Sequence, residues 1–312
     1  MTTRPRPTVP GTVPPTVPVT VLATGGTIAC TTGADGTRTP TRTVADLLQD
    51  AALPATAVRD ARDVLHLDSS TMTLGDLDSL LAEIAAAATQ GPVVLTHGTD
   101  SMEETAMAVD RLIGGPVVLT GAQRPADDAA PDGPGNLRDA LTAAGEVTAP
   151  VIVMGRARVP AYGARKVHTV ADRAFDNPLP DAAPAPLTTT PPPLAGLRVD
   201  IVAAYQGGDA TLVDAAVDAG AAGIVVAAFG SGNVGVLSPG VERALDRGIP
   251  VVICTRVPGG PVDLVYGGPG GGARLARRGV RSGGLLSPAQ ARMELLCELA
   301  VTRRDCPAGP RG

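Results

Sequence analysis

Pro92-Val93-Val94-Leu95-Thr96-His97-Gly98-Thr99-Asp100-Ser101, PVVLTHGTDS in one-letter code, is an uninterrupted apolar run that stops on a cluster of polar groups. Its first five letters return unchanged at 116–120. A short, continuous apolar run bounded by proline and polar residues is what a strand buried on both faces looks like. The runs VTVL at 19–22 and PVIVM at 150–154 repeat that pattern. Between these runs the period changes. Leu77, Leu80, Leu81 and Ile84 recur at helical spacing and predict a helix over 76–89, and 101–113 and 135–145 predict two more. Buried strands alternating with helices imply a parallel sheet flanked on both faces.

Moving outward, 176–195 (DNPLPDAAPAPLTTTPPPLA) has no periodicity and reads as a linker. Beyond it the alternation resumes, with strands at 199–204, 223–228 and 250–254 and helices at 210–219, 238–247 and 287–301. The expected organisation is a Pro/Thr-rich, disordered leader over 1–17, an N-terminal catalytic domain over 18–175, the linker 176–195 and a C-terminal domain over 196–312.

Composition excludes several classes. A net charge of −5 without aromatic-basic interleaving argues against nucleic acid as a partner. No apolar run approaches the roughly 18 residues of a membrane span, and the leader lacks the apolar core of a secretory signal. The four cysteines are scattered and, with the three histidines, lack zinc-ligand spacing. The expectation is a reduced, metal-free, cytoplasmic protein without an organic cofactor.

In parallel α/β sheets ligands gather at the carboxyl ends of the strands. Two polar clusters fall there, Thr24-Gly25-Gly26-Thr27 after the first strand and His97 to Glu104 after the strand ending at Thr96. Lys166, the sole lysine among 26 basic residues, follows 150–154 by one loop. A threonine hydroxyl becomes a nucleophile when a neighbouring base takes its proton. Lysine can act as that base, directly or through a second threonine, whereas arginine stays protonated. Each residue also has a plainer reading: Thr27 as a helix N-cap, Asp100 as the cap of 101–113, and Glu103 or Glu104 as first-turn charge.

ATGGTIA at 23–29 and THGTDSMEETA at 96–106, in that order, resemble the two signature motifs of the bacterial-type L-asparaginase family. LTGAQRPADDAAPDGPGNLRDAL at 119–141, AAFGSGNVG at 227–235 and TRVPGG at 255–260 are similar to further blocks of that family. The resemblance spans about 18–301. It implies two α/β domains, a larger N-terminal parallel-sheet domain and a smaller C-terminal one of flavodoxin/Rossmann-like build. It also implies hydrolysis of L-asparagine to L-aspartate and ammonia through an acyl-threonine.

By the same resemblance Thr27 matches the nucleophile, and Thr99, Asp100 and Lys166 match a second catalytic triad. Ser69 matches the serine that holds the substrate α-carboxylate, and Asp100 also faces the substrate ammonium. Asn233 matches an asparagine that reaches a neighbouring subunit's site, so a homo-oligomer, dimer or tetramer, is expected. The family's lid tyrosine is missing, and Pro40 stands at its spacing. A glutaminase-asparaginase of broader specificity and an inactive amino-acid-binding module on the same fold are the alternatives.

Overall fold

The register of the two PVVLT segments organises the larger sheet. In the computed structural model, which describes residues 17–53 and 57–306, they lie side by side and parallel, Val93 opposite Val117 through Thr96 opposite Thr120. The expected leader, 1–17, falls almost wholly outside the described residues. Contacts divide the chain into two units, one ending at Pro193 and the other beginning at Leu194.

The first unit runs β1 (Val19–Gly25), β2 (Cys30–Thr32), β3 (Arg38–Pro40), α1 (Val44–Asp50), β4 (Val58–Leu67) and α2 (Leu74–Ala88). It continues with β5 (Val93–Thr96), α3 (Met102–Leu112), β6 (Val117–Thr120), α4 (Gly133–Ala144), β7 (Val151–Met154), β8 (Ala157–Pro160), β9 (Arg165–Lys166) and β10 (Phe175–Asp176). Its main sheet has the order β4-β1-β5-β6-β7-β8, parallel except for the β7–β8 pair. Alternate strand residues face opposite sides. Val19, Val21, Ala23, Val94 and Val118 therefore pack with Val44 and Leu47 of α1 and Leu137 and Leu141 of α4. Leu22, Leu95 and Leu119 are left for the other face, where α2 meets β4 and β5 and α3 meets β6. The four apolar positions that predicted the 76–89 helix are all buried, and Thr73 with Asp76 forms a capping box at its start.

The sequence reading has no strand at β4. Its ten residues, VRDARDVLHL, carry two Arg and two Asp and have no fully buried position. An edge strand needs neither a continuous apolar run nor strict alternation, so β4 pairs with β1 without showing an apolar signature. Residues 177–193 form no helix or strand, yet are fastened to the first unit: Leu187 N donates to Arg111 O (2.7 Å) and Arg111 Nη1 donates to Ala185 O (2.5 Å).

The second unit holds β11 (Val199–Ala203), α5 (Thr211–Asp218), β12 (Gly223–Ala228), α6 (Ser238–Asp246), β13 (Val251–Thr255), α7 (Gly272–Ala276), β14 (Arg281–Ser282) and α8 (Pro288–Asp305). Its four strands are parallel in the order β11-β12-β13-β14. Ile224, Val226 and Ile253 pack with Val213 of α5 and Val241 of α6, and α8 packs against β11, β12 and β13. The architecture is a two-domain α/β protein with the larger parallel sheet first.

Candidate active site

The strand order reverses at β1: the chain leaves it to form β4 on one side, then crosses to form β5 on the other. The crevice outside the carboxyl ends of such strands is where α/β sheets bind ligands. Three loops close on one another there. Gly26 N donates to Leu67 O at the end of β4 (3.1 Å). Gly26 has φ 72°, and a Cβ on it would stand 2.5 Å from the Gly98 Cα. A Cβ on Gly98 would stand 2.5 Å from Ser69 Oγ. Gly26 meets the Gly98 main chain, and Gly98 meets the Ser69 side chain, at distances that leave no room for a Cβ, so Thr27, Ser69 and Thr99 are carried on closely packed loops.

Thr27 is half-buried and begins a 3-10 turn, Thr27–Ala29, whose N-cap position belongs to Gly26. The N-cap reading of Thr27 therefore fails. Ser69 is buried in the turn after β4. Its Oγ accepts from Asp100 N (3.3 Å) and Ser101 N (3.4 Å), and Ser101 Oγ donates to Ser69 O (2.8 Å). Both of these N–H groups belong to the entry into α3, so the Ser69 side chain is fixed beside the first turn of that helix.

Lys166 reaches the same crevice from β9. Its Nζ donates to Thr99 Oγ1 (2.9 Å) and to Asp100 Oδ1 (2.8 Å). Thr99 is buried, while 59% of the Asp100 side chain is exposed, which leaves that carboxylate open to a ligand. Asp100 does not cap α3, since no side chain caps that helix at Ser101.

Three supporting residues received no catalytic role from the sequence. His97 is fully buried; its Nδ1 lies 2.7 Å from Gly98 O and its Nε2 3.0 Å from Thr105 Oγ1. A carbonyl only accepts, so Nδ1 carries the proton and Nε2 accepts from the threonine. Desolvation by burial pushes this histidine down to about 4, so it is a neutral strut under the Thr99 loop. Asn177 Nδ2 donates to Pro160 O (2.8 Å) and Tyr162 O (2.7 Å), while its Oδ1 accepts from Leu179 N (2.6 Å). Glu103 Oε2 accepts from Lys166 N at 2.5 Å. A lone Asn among prolines and a Glu on a helix turn give no one-dimensional signal of these contacts.

The segment after Thr27 is a hairpin of β2 and β3, in which the Thr31 and Thr41 hydroxyls bond at 2.7 Å and Thr32 N donates to Asp127 Oδ2 (2.7 Å). Pro40 ends β3, and its carbonyl bonds the His66 ring. Cys30, at the hairpin base, has its thiol pushed up by burial and then by the Asp68 charge. Asn233 belongs to the second unit, in a tight turn after β12 where its main chain exchanges hydrogen bonds with Phe229. Among the described residues no group of His, Cys, Asp and Glu is placed to hold a metal ion.

Comparison with known proteins gives this arrangement a family. The model for the N-terminal domain of asparaginase matches residues 18–184, and that for the glutaminase/asparaginase C-terminal domain matches 198–306. The chain belongs to the asparaginase family. A probable L-asparaginase of Deinococcus radiodurans is 37% identical over 68% of this chain and 73% of its own length. L-asparaginase 2 of Bacillus subtilis is 29% identical over 92% of this chain and 83% of its own. The crystal structure of a probable cytoplasmic L-asparaginase from Campylobacter jejuni superposes with a TM-score of 0.79 at 27% identity, covering 91% of this chain and 95% of that one. The segments that resemble asparaginase motifs, 23–29 and 96–106, run from the end of β1 through the turn after it and from the end of β5 into α3.

Proposed function

We propose that this asparaginase-family protein hydrolyses L-asparagine to L-aspartate and ammonia, with Thr27 as nucleophile. The observation that carries this reading is Lys166 Nζ shared between Thr99 Oγ1 and Asp100 Oδ1, at the same strand ends as Thr27 and Ser69. The Ser69 hydroxyl donates to the α-carboxylate, an anion that the nearby N-terminal turn of α3 also favours. The exposed Asp100 carboxylate receives the α-ammonium.

The Thr27 oxygen bonds the side-chain amide carbon, and N–H groups of the Thr99 loop stabilise the oxyanion. The carbon–nitrogen bond breaks, and the Thr27 proton leaves with ammonia through the Thr99–Lys166 pair. Water then bonds the acyl carbon and the Thr27 ester bond breaks; one proton of that water passes to the Thr27 oxygen, and the new carboxylic acid ionises. This is why the one lysine survives in a chain otherwise committed to arginine: guanidinium cannot take part in proton transfer. The scheme calls on neither metal nor organic cofactor.

Asn233 is assigned to a neighbouring copy's site, which makes the working form a homo-oligomer, dimer or tetramer. The likeness to the probable cytoplasmic L-asparaginase of Campylobacter jejuni supports a cytoplasmic location. Among the described residues no helix is long and apolar enough to cross a membrane.

The test is ammonia release from L-asparagine, L-glutamine and D-asparagine. Release is expected from L-asparagine, abolished in Thr27→Ala and reduced roughly 10²–10⁴-fold in Lys166→Arg, the usual worth of a positioned acid–base group. Equal turnover of L-glutamine would make it a broader glutaminase-asparaginase. Binding of asparagine without ammonia from any amide would leave an amino-acid-binding module.

A further inference from the structure

Lys166 stands on a strand of two residues whose ladder partner is Phe175–Asp176, with Lys166 opposite Phe175. So short a strand does not hold a catalytic side chain in place by itself. In an antiparallel pair, successive N–H groups point alternately towards and away from the partner strand. Val167 N points towards it, donating to Ala174 O at 2.7 Å, so the Lys166 N–H points away and must find its acceptor elsewhere. It finds the Glu103 carboxylate at 2.5 Å. Glu103 lies in the first turn of α3, immediately after the Thr99–Asp100 loop that receives the Lys166 side chain.

We propose that Glu103 is a positioning residue: its carboxylate clamps the lysine-bearing strand to the helix that follows Thr99 and Asp100. The main chain of Lys166 is tied to α3 through Glu103, and its Nζ is tied to the two residues preceding α3. Two attachments to one rigid body fix both ends of a flexible side chain. A charge-assisted bond to a backbone N–H is the stronger kind. The competing account is that Glu103 merely supplies negative charge at a helix N-terminus. Glu104 would do that equally well from the same turn.

The two accounts separate by chemistry. Glu103→Gln removes the charge and keeps an oxygen acceptor at the same reach, whereas Glu103→Asp keeps the charge and falls one methylene short. The clamp predicts that Glu103→Asp and Glu103→Ala lose kcat by roughly 10- to 100-fold, the scale of an ångström-sized misplacement. It also predicts that KM stays within about twofold and that Glu103→Gln retains most of kcat. Glu104→Ala should leave kcat nearly unchanged. Equal loss in Glu103→Gln and Glu103→Ala, or in Glu104→Ala, would overturn the clamp in favour of simple charge.

The kinetic arm rests on the hydrolase reading, so a second readout stands apart from turnover. Because the chain has one lysine, labelling with ¹⁵N-lysine gives a single amide signal, that of Lys166. Its hydrogen exchange should be slow in the wild type and Glu103→Gln, and at least about tenfold faster in Glu103→Ala. An unchanged exchange rate in Glu103→Ala would sink the clamp even if the wild type released no ammonia. A wild type without ammonia release but with this exchange pattern would instead sink the hydrolase reading and keep the clamp.

Discussion

The two sides of the candidate site are built in different ways. Thr27, Ser69 and Thr99 sit on loops that leave no room for a Cβ at Gly26, which faces the Gly98 main chain, or at Gly98, which faces the Ser69 side chain. Lys166 sits on a two-residue strand held by polar bonds, from Glu103 to its own amide and from Asn177 to the carbonyls of Pro160 and Tyr162. At Gly26 the first kind of construction is all-or-none, because overlap of backbone atoms cannot be relaxed by a rotamer change. The second is graded, because each hydrogen bond can be removed singly. Damage to the glycine side should therefore abolish the site, and damage to the lysine side should detune it.

Gly26→Ala tests the first half and should have the largest effect. The new methyl meets the Gly98 Cα at 2.5 Å from a backbone with φ 72°, so overpacking adds to left-handed strain. We expect about 3 kcal/mol or more of lost stability, from those two costs together, with activity at background. Chemical unfolding and ammonia release measure both. A variant of wild-type stability and turnover would show that the loops adjust, and the contrast between the two sides would fail.

The same contrast explains what could be read from the sequence. The glycine side is legible because it is encoded in contiguous letters. Buried runs such as PVVLT stop on GGT and HGTD, and the resemblance of those letters to the family motifs covers the loops after β1 and β5. Ser69 is legible only through the resemblance, since β4, the strand that delivers it, carries charges along an exposed edge. The lysine side is legible only as an oddity of composition. Glu103 meets Lys166 across 63 positions and Asn177 meets Pro160 across 17, and neither contact has a periodicity or motif that a one-dimensional reading detects.

A middle-sized effect should appear in the pH dependence of stability, again on the glycine side. Burial holds His97 down to about 4, against 6.5 for a free histidine. Above 6.5 it is neutral in both folded and unfolded chains and adds no pH dependence. As pH falls from 6.5 to 4 the unfolded chain takes up a proton that the native one refuses, so stability drops. The full excursion is worth on the order of 3 kcal/mol at 1.36 kcal/mol per unit. Urea unfolding at pH 7, 5.5 and 4 should show this decline in the wild type and a flatter profile in His97→Gln, which starts from lower stability. A wild-type curve as flat as the variant's would mean that the strut under Thr99 is solvated.

Asn177 gives the smallest effect and the sharpest comparison. Its amide donates to the carbonyls of Pro160, at the end of β8, and Tyr162, in the loop leading into β9, and accepts from Leu179 N. Asn177→Ala leaves those groups without that partner in a nearly buried place, at a cost of about 2 kcal/mol. Asn177→Asp should be no better, because it sets a carboxylate against two carbonyl oxygens while retaining only the bond from Leu179. Yet β9 keeps its tie to α3 through Glu103, so kcat should fall only a few-fold at 25 °C while the urea midpoint moves clearly. If Asn177→Ala instead lost kcat as deeply as Glu103→Ala with little change in stability, the loop rather than the helix would set where the lysine stands. The graded side of the site would then hang on Asn177.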